Sequence, residues 1–521
     1  MFKRKSASAK GLSRALVGVV AALGLTLVPA AAQAAWYRVE TDRFIVYGEG
    51  SEKAARDYAT RLTVFDDILR RFNPAAKDRV AATKVQVYLV AGEGELRRVQ
   101  PRLPPYTAGF YSAMNEGVFA IAIKSGGTLG ADDVLFHEYA HHFMLENFPA
   151  AYPAWFVEGF AEYFMTAEIL PRDGGVKVGG YNEGRAYSIF MQTWLPMDEV
   201  LSKTTGETRT DRMAAYYAQA WLLTHYMRSD PKRAEQLNQA VLAISAGEPP
   251  VQAFETATGM SMPDLTKALK GYRKLQIITI RDPAKTTPAV TVTALPKSAD
   301  DCLLANLRLI LSPTGRVDGE FLADVRRKAA KYPGDVLAER TLARAEFVMG
   351  DVAAGEAIMK RRLDAGTPDY EDLLLAGTGQ LMAGMRDRPN REARYRAGRP
   401  LLAKAYQLDK NDFRALYAYE LARSIEAGYP SDNDLNALLE ARHLAPAVLE
   451  TSLRAGVALL QKGRREDAAH VLAPVINNPH GGRSAASARA LLNAPQPGQV
   501  EIAADDGPDE PAQPPPAKPA K

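Results

Sequence analysis

His137-Glu138-Tyr139-Ala140-His141 sets two imidazoles four residues apart, with a carboxylate between them. On a helix that spacing puts both rings on one face, where two ring nitrogens can meet one metal ion. Glu138 flanks the same face, within reach of a water held there. Seventeen residues after His141 comes Glu158, within Trp155-Phe156-Val157-Glu158-Gly159-Phe160-Ala161-Glu162-Tyr163, a carboxylate available as third ligand. Three protein ligands and a water make a catalytic zinc site, whereas a structural site is usually closed by four. The chemistry predicted is peptide-bond hydrolysis by a metal-activated water, with Glu138 as general base. Apolar residues crowd the motif (Val134, Leu135 and Phe136 before it, Phe143, Met144 and Leu145 after it). Polar groups inside such a run cost free energy unless they are paired or bound to metal, which weighs against a chance arrangement. Glu162, one helical turn beyond Glu158, either accepts a hydrogen bond from a ligand histidine and fixes its tautomer, or is a solvated helix carboxylate. His142 is expected to point away from the ligand face.

These residues need a helix, and the surrounding pattern supplies one. Trp36–Tyr47 reads as one or two strands around Thr41-Asp42-Arg43. Ser51 should cap an amphipathic helix with Ala54, Tyr58, Leu62, Phe65, Ile68 and Leu69 on one face. Val85, Val87 and Leu89 alternate as a strand. Gly109–Tyr111 and Val118–Ile123 form a hairpin around Asn115-Glu116-Gly117, and the second strand is well placed to pair with an extended substrate. After a loop at Gly126, Gly127 and Gly130, Asp132 or Asp133 begins the metal-binding helix. Further helices are expected over Tyr187–Leu195, Met213–Met227, Pro231–Ile244 and Leu265–Leu275. The fold class predicted is α+β, a mixed sheet plus helices over residues 35–280.

Residues 281–299, rich in Pro, Thr and Lys, read as a linker. Residues 300–494 read as all-α helical repeats. Ala343 and Gly350, Gly377 and Gly384, and Gly456 and Gly463 share one offset of seven. These marks resemble tetratricopeptide repeats, with Arg386–Arg399 as an insertion; a generic helical bundle is the alternative. Residues 495–521, rich in Pro, Ala and Asp, read as a disordered tail.

The first residues carry Lys3, Arg4, Lys5, Lys10 and Arg14, then an apolar run from Ala15 to Val28 and the A-x-A-like Ala32-Gln33-Ala34. Residues 1–34 are therefore expected to be a signal peptide, and an uncleaved anchor is the alternative. No cysteine lies near the cleavage site, which argues against a lipid anchor. Removing the segment takes the net charge from +4 to about −1, so the basicity is no argument for nucleic acid. No later run is long enough for a transmembrane helix, so no stable membrane insertion is expected after cleavage. Cys302 is the single cysteine, which excludes an intramolecular disulfide; among Leu303 and Leu304 it reads as a buried small residue. An exported, most simply periplasmic, location follows, although a Gram-positive exterior would look similar.

His137-Glu138-x-x-His141 with Glu158-Gly159-x-Ala161 resembles the gluzincin metallopeptidases, the thermolysin and zinc-aminopeptidase group, and within it the peptidase-MA-like domains of exported bacterial proteins, often fused to helical repeats. The resemblance implies zinc bound by His137, His141 and Glu158, with Glu138 as general base and Glu162 at the family's acidic position. Ser112–Gly117 does not reproduce the Gly-x-Met-Glu-Asn stretch with which aminopeptidases hold a substrate's amino terminus, so an endopeptidase is favoured. Gluzincins also place a Tyr or His against the oxyanion; Tyr217, or else His225, is the candidate, with ordinary packing the alternative.

The expected partners are a peptide or protein substrate and a protein bound by the repeats. Two other readings compete: a non-catalytic repeat scaffold whose metal domain is structural or vestigial, and a metal hydrolase acting on a non-protein envelope polymer.

Overall fold

The computed structural model describes residues 36–494 apart from 80–81, 105–106, 125–130, 171–174, 281–287, 312–317 and 367. The expected signal segment, the glycine loop before the helix of His137 and His141, part of the expected linker and the expected tail lie outside the described residues.

Among the described residues nine strands make two sheets. The larger joins β1 (Trp36–Glu40), β2 (Phe44–Glu49), β3 (Val85–Val90), β4 (Gly109–Met114), β5 (Gly117–Ile123) and β9 (Thr291–Ala294) in the order β4-β5-β3-β2-β1-β9. The smaller is antiparallel: β6 (Glu168–Ile169), β7 (Val176–Val178) and β8 (Ile278–Ile280). The large sheet is mixed, with β2–β3 and β3–β5 parallel and the other pairs antiparallel. β5 is hydrogen-bonded on both sides, so it cannot receive a substrate strand as the sequence suggests; the edge strand beside it is β4.

Both faces of this sheet are covered, which is why β3 and β5 are buried almost residue by residue. Val39, Val46, Val87 and Ala120 face α1 (Glu52–Phe72) and α3 (Ala131–Asn147). Trp36, Tyr88, Phe119 and Ile121 face α2 (Glu93–Val99) and α11 (Ala299–Leu311). Ser51 caps α1, its Oγ accepting the Ala54 N–H at 3.2 Å. The buried face of α1 begins at Ala55 and Ala59, one position later than expected, and Ala54 is exposed. Between the sheets and the array lie α4 (Ala154–Met165), α5 (Glu183–Met191), α6 (Met197–Ser202), α7 (Met213–Arg228), α8 (Pro231–Ser245), α9 (Pro250–Thr258) and α10 (Met262–Gly271). The helix expected over Tyr187–Leu195 starts earlier, because the Asn182 side chain accepts the N–H groups of Gly184 and Arg185. α9 goes unread in the sequence because Pro249-Pro250 looks like a break. Pro250 is instead the first helical residue, where its missing N–H costs nothing.

The described residues from 299 to 493 form helix after helix: α11, then α12 (Gly319–Ala329), α13 (Val336–Met349), α14 (Val352–Asp364), α15 (Tyr370–Arg386), α16 (Arg391–Leu408), α17 (Phe413–Arg423), α18 (Asp432–Leu444), α19 (Leu449–Gln461), α20 (Arg465–Ile476) and α21 (Gly482–Asn493). Two of the glycine marks have the same task. A Cβ on Gly377 of α15 would meet Leu402 of α16 at 2.6 Å, and one on Gly456 of α19 would meet Leu472 of α20 at 2.6 Å. Arg386–Arg399, read as an insertion in the repeat pattern, runs from the last residue of α15 through a 3₁₀ turn at Arg388–Asn390 into the first half of α16.

The expected linker is no free tether. Its residues 291–294 pair with β1, and α11 seals the sheet behind them. Phe413, Tyr417, Leu444 and Val448 of the array join the core around α1 and α3, and Arg344 of α13 pairs with Glu116 of the β4–β5 turn at 3.1 Å, both buried. The described residues from Trp36 onward belong to one compact unit.

Glu420 of α17 is buried, and burial with Asp434 nearby pushes its carboxyl up to about 8. A carboxyl whose folded value is raised keeps its proton in the fold. Its contribution is complete below about 4.5 and is lost as the pH climbs through about 8. Melting temperature should therefore fall across that window, and Glu420→Gln should flatten the fall; an unchanged profile in differential scanning calorimetry would remove Glu420 as the cause.

Candidate metal centre

α3 packs against both α1 and α4 in one core. Phe136 stacks on Phe65 with ring centroids 4.0 Å apart, and the Tyr139 hydroxyl donates to Asp66 at 2.7 Å. That packing turns His137 and His141 toward α4. α4 approaches α7 so closely that a Cβ on Gly159 would lie 2.5 Å from the Ala220 carbonyl oxygen and 2.1 Å from Thr224 Oγ1. The glycine beside Glu158 is thus the contact that lets α4 sit where its carboxylate meets the two histidines.

The three side chains converge. His137 Nε2 and His141 Nε2 are 3.0 Å apart, and Glu158 Oε2 lies 3.5 and 3.4 Å from them. Two imidazole nitrogens this close either share a proton or aim their lone pairs at a common cation. A tetrahedral ion with bonds of about 2.0 Å holds its ligand atoms roughly 3.3 Å apart, so this triangle has the size of a ligand set. All three residues are buried, and among the described residues they are the one group of three or more His, Cys, Asp or Glu side chains so clustered.

Burial alone would push the Glu158 carboxyl up, but the imidazoles of His480, His141 and His137 hold it well below the usual range. For His137 burial is outweighed by Glu158 and Glu162, and the ring is held above its usual value; for His141 burial prevails and the ring is held below.

Around the triangle, Glu162 Oε1 lies 3.5 Å from His137 Nδ1. Glu162 is not solvated: Arg185 of α5 grips both its oxygens, at 2.6 and 2.8 Å. The Arg185 guanidinium also lies 4.8 Å from the Tyr217 ring centroid, and that ring is 6.3 Å from His137. Tyr217 is therefore beside the cluster, whereas His225 is turned to Gly179 O at 2.9 Å and Tyr272 Oη at 3.0 Å and serves packing. Glu138 lines a cavity of about 50 Å³, room for a few waters, with His141, His142, Tyr111 and Tyr152. His142 is not idle: its Nδ1 lies 2.9 Å from the Tyr111 hydroxyl, and burial lowers its value to about 3.

The far wall of the cavity is Pro474 and Asn477–His480, from the last helices of the array, and His480 Nε2 lies 2.9 Å from Glu158 Oε1. Sequence reasoning missed Arg185 and His480. Arg185 lay ahead of the expected helix, and His480 sits in a turn-type run with no ligand spacing to mark it. Cys302 is buried and burial raises its thiol to about 11, so it is inert packing.

No protein family matches this chain, and no curated protein does. Among solved structures, 37% of the chain aligns with 92% of YrrB, described as a TPR protein with an unusual peptide-binding site, at 18% identity and a TM-score of 0.26. A likeness that small carries no argument. What the molecule shows by itself is a mixed sheet with helices and an array of paired helices.

Arg185 and Glu162 are both buried. Arg185→Met should leave an unpaired buried carboxylate and cost about 3–5 kcal/mol in denaturant unfolding. Gly159→Ala should force α4 from α7 at a cost of about 1–3 kcal/mol; a variant as stable as the parent would show that the crossing is not tight.

Proposed function

We propose that this chain is an exported zinc-dependent peptidase of gluzincin type, acting inside peptide chains, with tetratricopeptide-like repeats that bind a protein partner or substrate. The observation that carries the reading is the ligand-sized triangle of His137 Nε2, His141 Nε2 and Glu158 Oε2. Two nitrogens and a carboxylate oxygen suit zinc. When bound, zinc would supply Lewis acidity, polarising a carbonyl and easing the ionisation of water. Glu138, on the next residue of the same helix and open to the cavity, takes the proton of the attacking water and returns it to the leaving amine. Glu162, held by Arg185 with its Oε1 3.5 Å from His137 Nδ1, is the carboxylate that would fix the ring with Nε2 free to bind. Tyr217 is the candidate to steady the oxyanion. The edge strand β4, whose Tyr111 reaches the cavity, is the place for an extended substrate backbone.

One observation favours the scaffold reading: the cavity is too small for a peptide while Asn477–His480 walls it. An intact Glu138 in that cavity favours the peptidase. The two differ on cleavage of a mixed peptide library by the zinc-loaded chain. The peptidase reading expects products that vanish on chelation and fall by a factor of about 10²–10⁴ in Glu138→Gln. A zinc-loaded parent as silent as that variant would leave the scaffold standing.

A further inference from the structure

His480 reaches the cluster from the far end of the helical array, and it addresses the oxygen of Glu158 that the triangle does not use. Oε2 faces His137 and His141, while Oε1 lies 2.9 Å from His480 Nε2. His480 is outside the group whose ligand atoms all approach one another, so its partner is the carboxylate. A carboxylate that binds through one oxygen can swivel unless the other is held, and groups that hold ligands influence affinity nearly as strongly as the ligands do. Among the described residues the ion-pair partners of Glu158 are three histidines, and His480 is the one on the outer oxygen.

The segment that carries His480 is fixed at several points. Its backbone N–H donates to Asn478 Oδ1 at 2.7 Å, and Gly481 N–H donates to Asn478 O at 3.0 Å. Thr205 Oγ1, from the metal-site half of the chain, donates to Pro479 O at 2.5 Å. Behind it, Leu472, Val475, Ala488 and Leu491 of α20 and α21 share one core.

We propose that His480 is a positioning residue of the metal centre. By pairing its Nε2 with Glu158 Oε1 at 2.9 Å it keeps Oε2 between the two imidazole nitrogens. The last helix pair is then a working part of the site, and any partner that shifts α20 or α21 acts on the third ligand. This inference rests on the metal-site reading above.

The test uses the full chain stripped of metal, with zinc affinity measured by competition against a chromophoric chelator and the visible spectrum recorded after cobalt(II) loading. His480→Ala should bind zinc about 10–100-fold more weakly and shift the cobalt bands. His480→Gln, whose amide can donate to the same oxygen, should recover most of the affinity, while the two metal-free variants melt alike. Parental affinity and spectrum in His480→Ala would overturn the proposal, as would a Gln variant as weak as Ala. A parent chain that takes up neither metal would end the metal-site reading itself, an outcome separate from the other two.

Discussion

A carboxylate with no exposure to water must be matched by positive charge or by protons within a few ångströms, and every layer around Glu158 serves that match. Two of the rings come from α3, whose other side is fixed by aromatic packing on α1. The third comes from the end of the helical array. The backbone that carries Glu158 is set by a helix crossing that only a glycine permits. Remove the match and the carboxylate must take a proton or leave the core; keep it and three nitrogens are held facing one oxygen pair. The dense aromatic packing of α3, α4 and α7 is the frame this arrangement requires.

The same frame explains why Glu162 and Arg185 lie where they do. A histidine that presents Nε2 to the cluster must find an acceptor for its other nitrogen, and a buried acceptor must itself be held. Arg185 does the holding with both oxygens of Glu162 and lies over Tyr217 as well, so one guanidinium ties α5, α4 and α7 together beneath the site. A chain of this kind passes from the cluster to the third layer of residues without a gap.

What could be read from the sequence was what is local. His137, Glu138, His141 and the Glu158-Gly159 pair sit within two neighbouring helices; helical spacing predicts that the two histidines share a face, and the downstream motif marks Glu158 as their partner. β1, β2, the β4–β5 hairpin, α1, α7 and α8 announce themselves by period and capping residues. The features that escaped are non-local or short. β9 is four residues in a Pro- and Thr-rich stretch, and only β1, from the opposite end of the domain, makes it a strand. α11 looks like the first helix of an array, yet it is the second cover of the sheet. His480 carries no spacing signal, because its partner is reached through tertiary packing of an entire helical array.

The pairing of β1 with β9, and the seating of α11 on the sheet, also set an order of events. At a synthesis rate of about 5–20 residues per second, the first strand waits on the order of ten to fifty seconds for the strand and helix that close its edge and cover its face. Until then the β1 edge lies open to other chains and the Trp36, Tyr88 and Phe119 face has α2 alone as its helical cover, the kind of surface that invites misassociation. His480 comes later still. The full set of side chains around Glu158 is therefore among the last features to be completed, and a chain interrupted within the array would hold two histidines and a glutamate without the His480 contact.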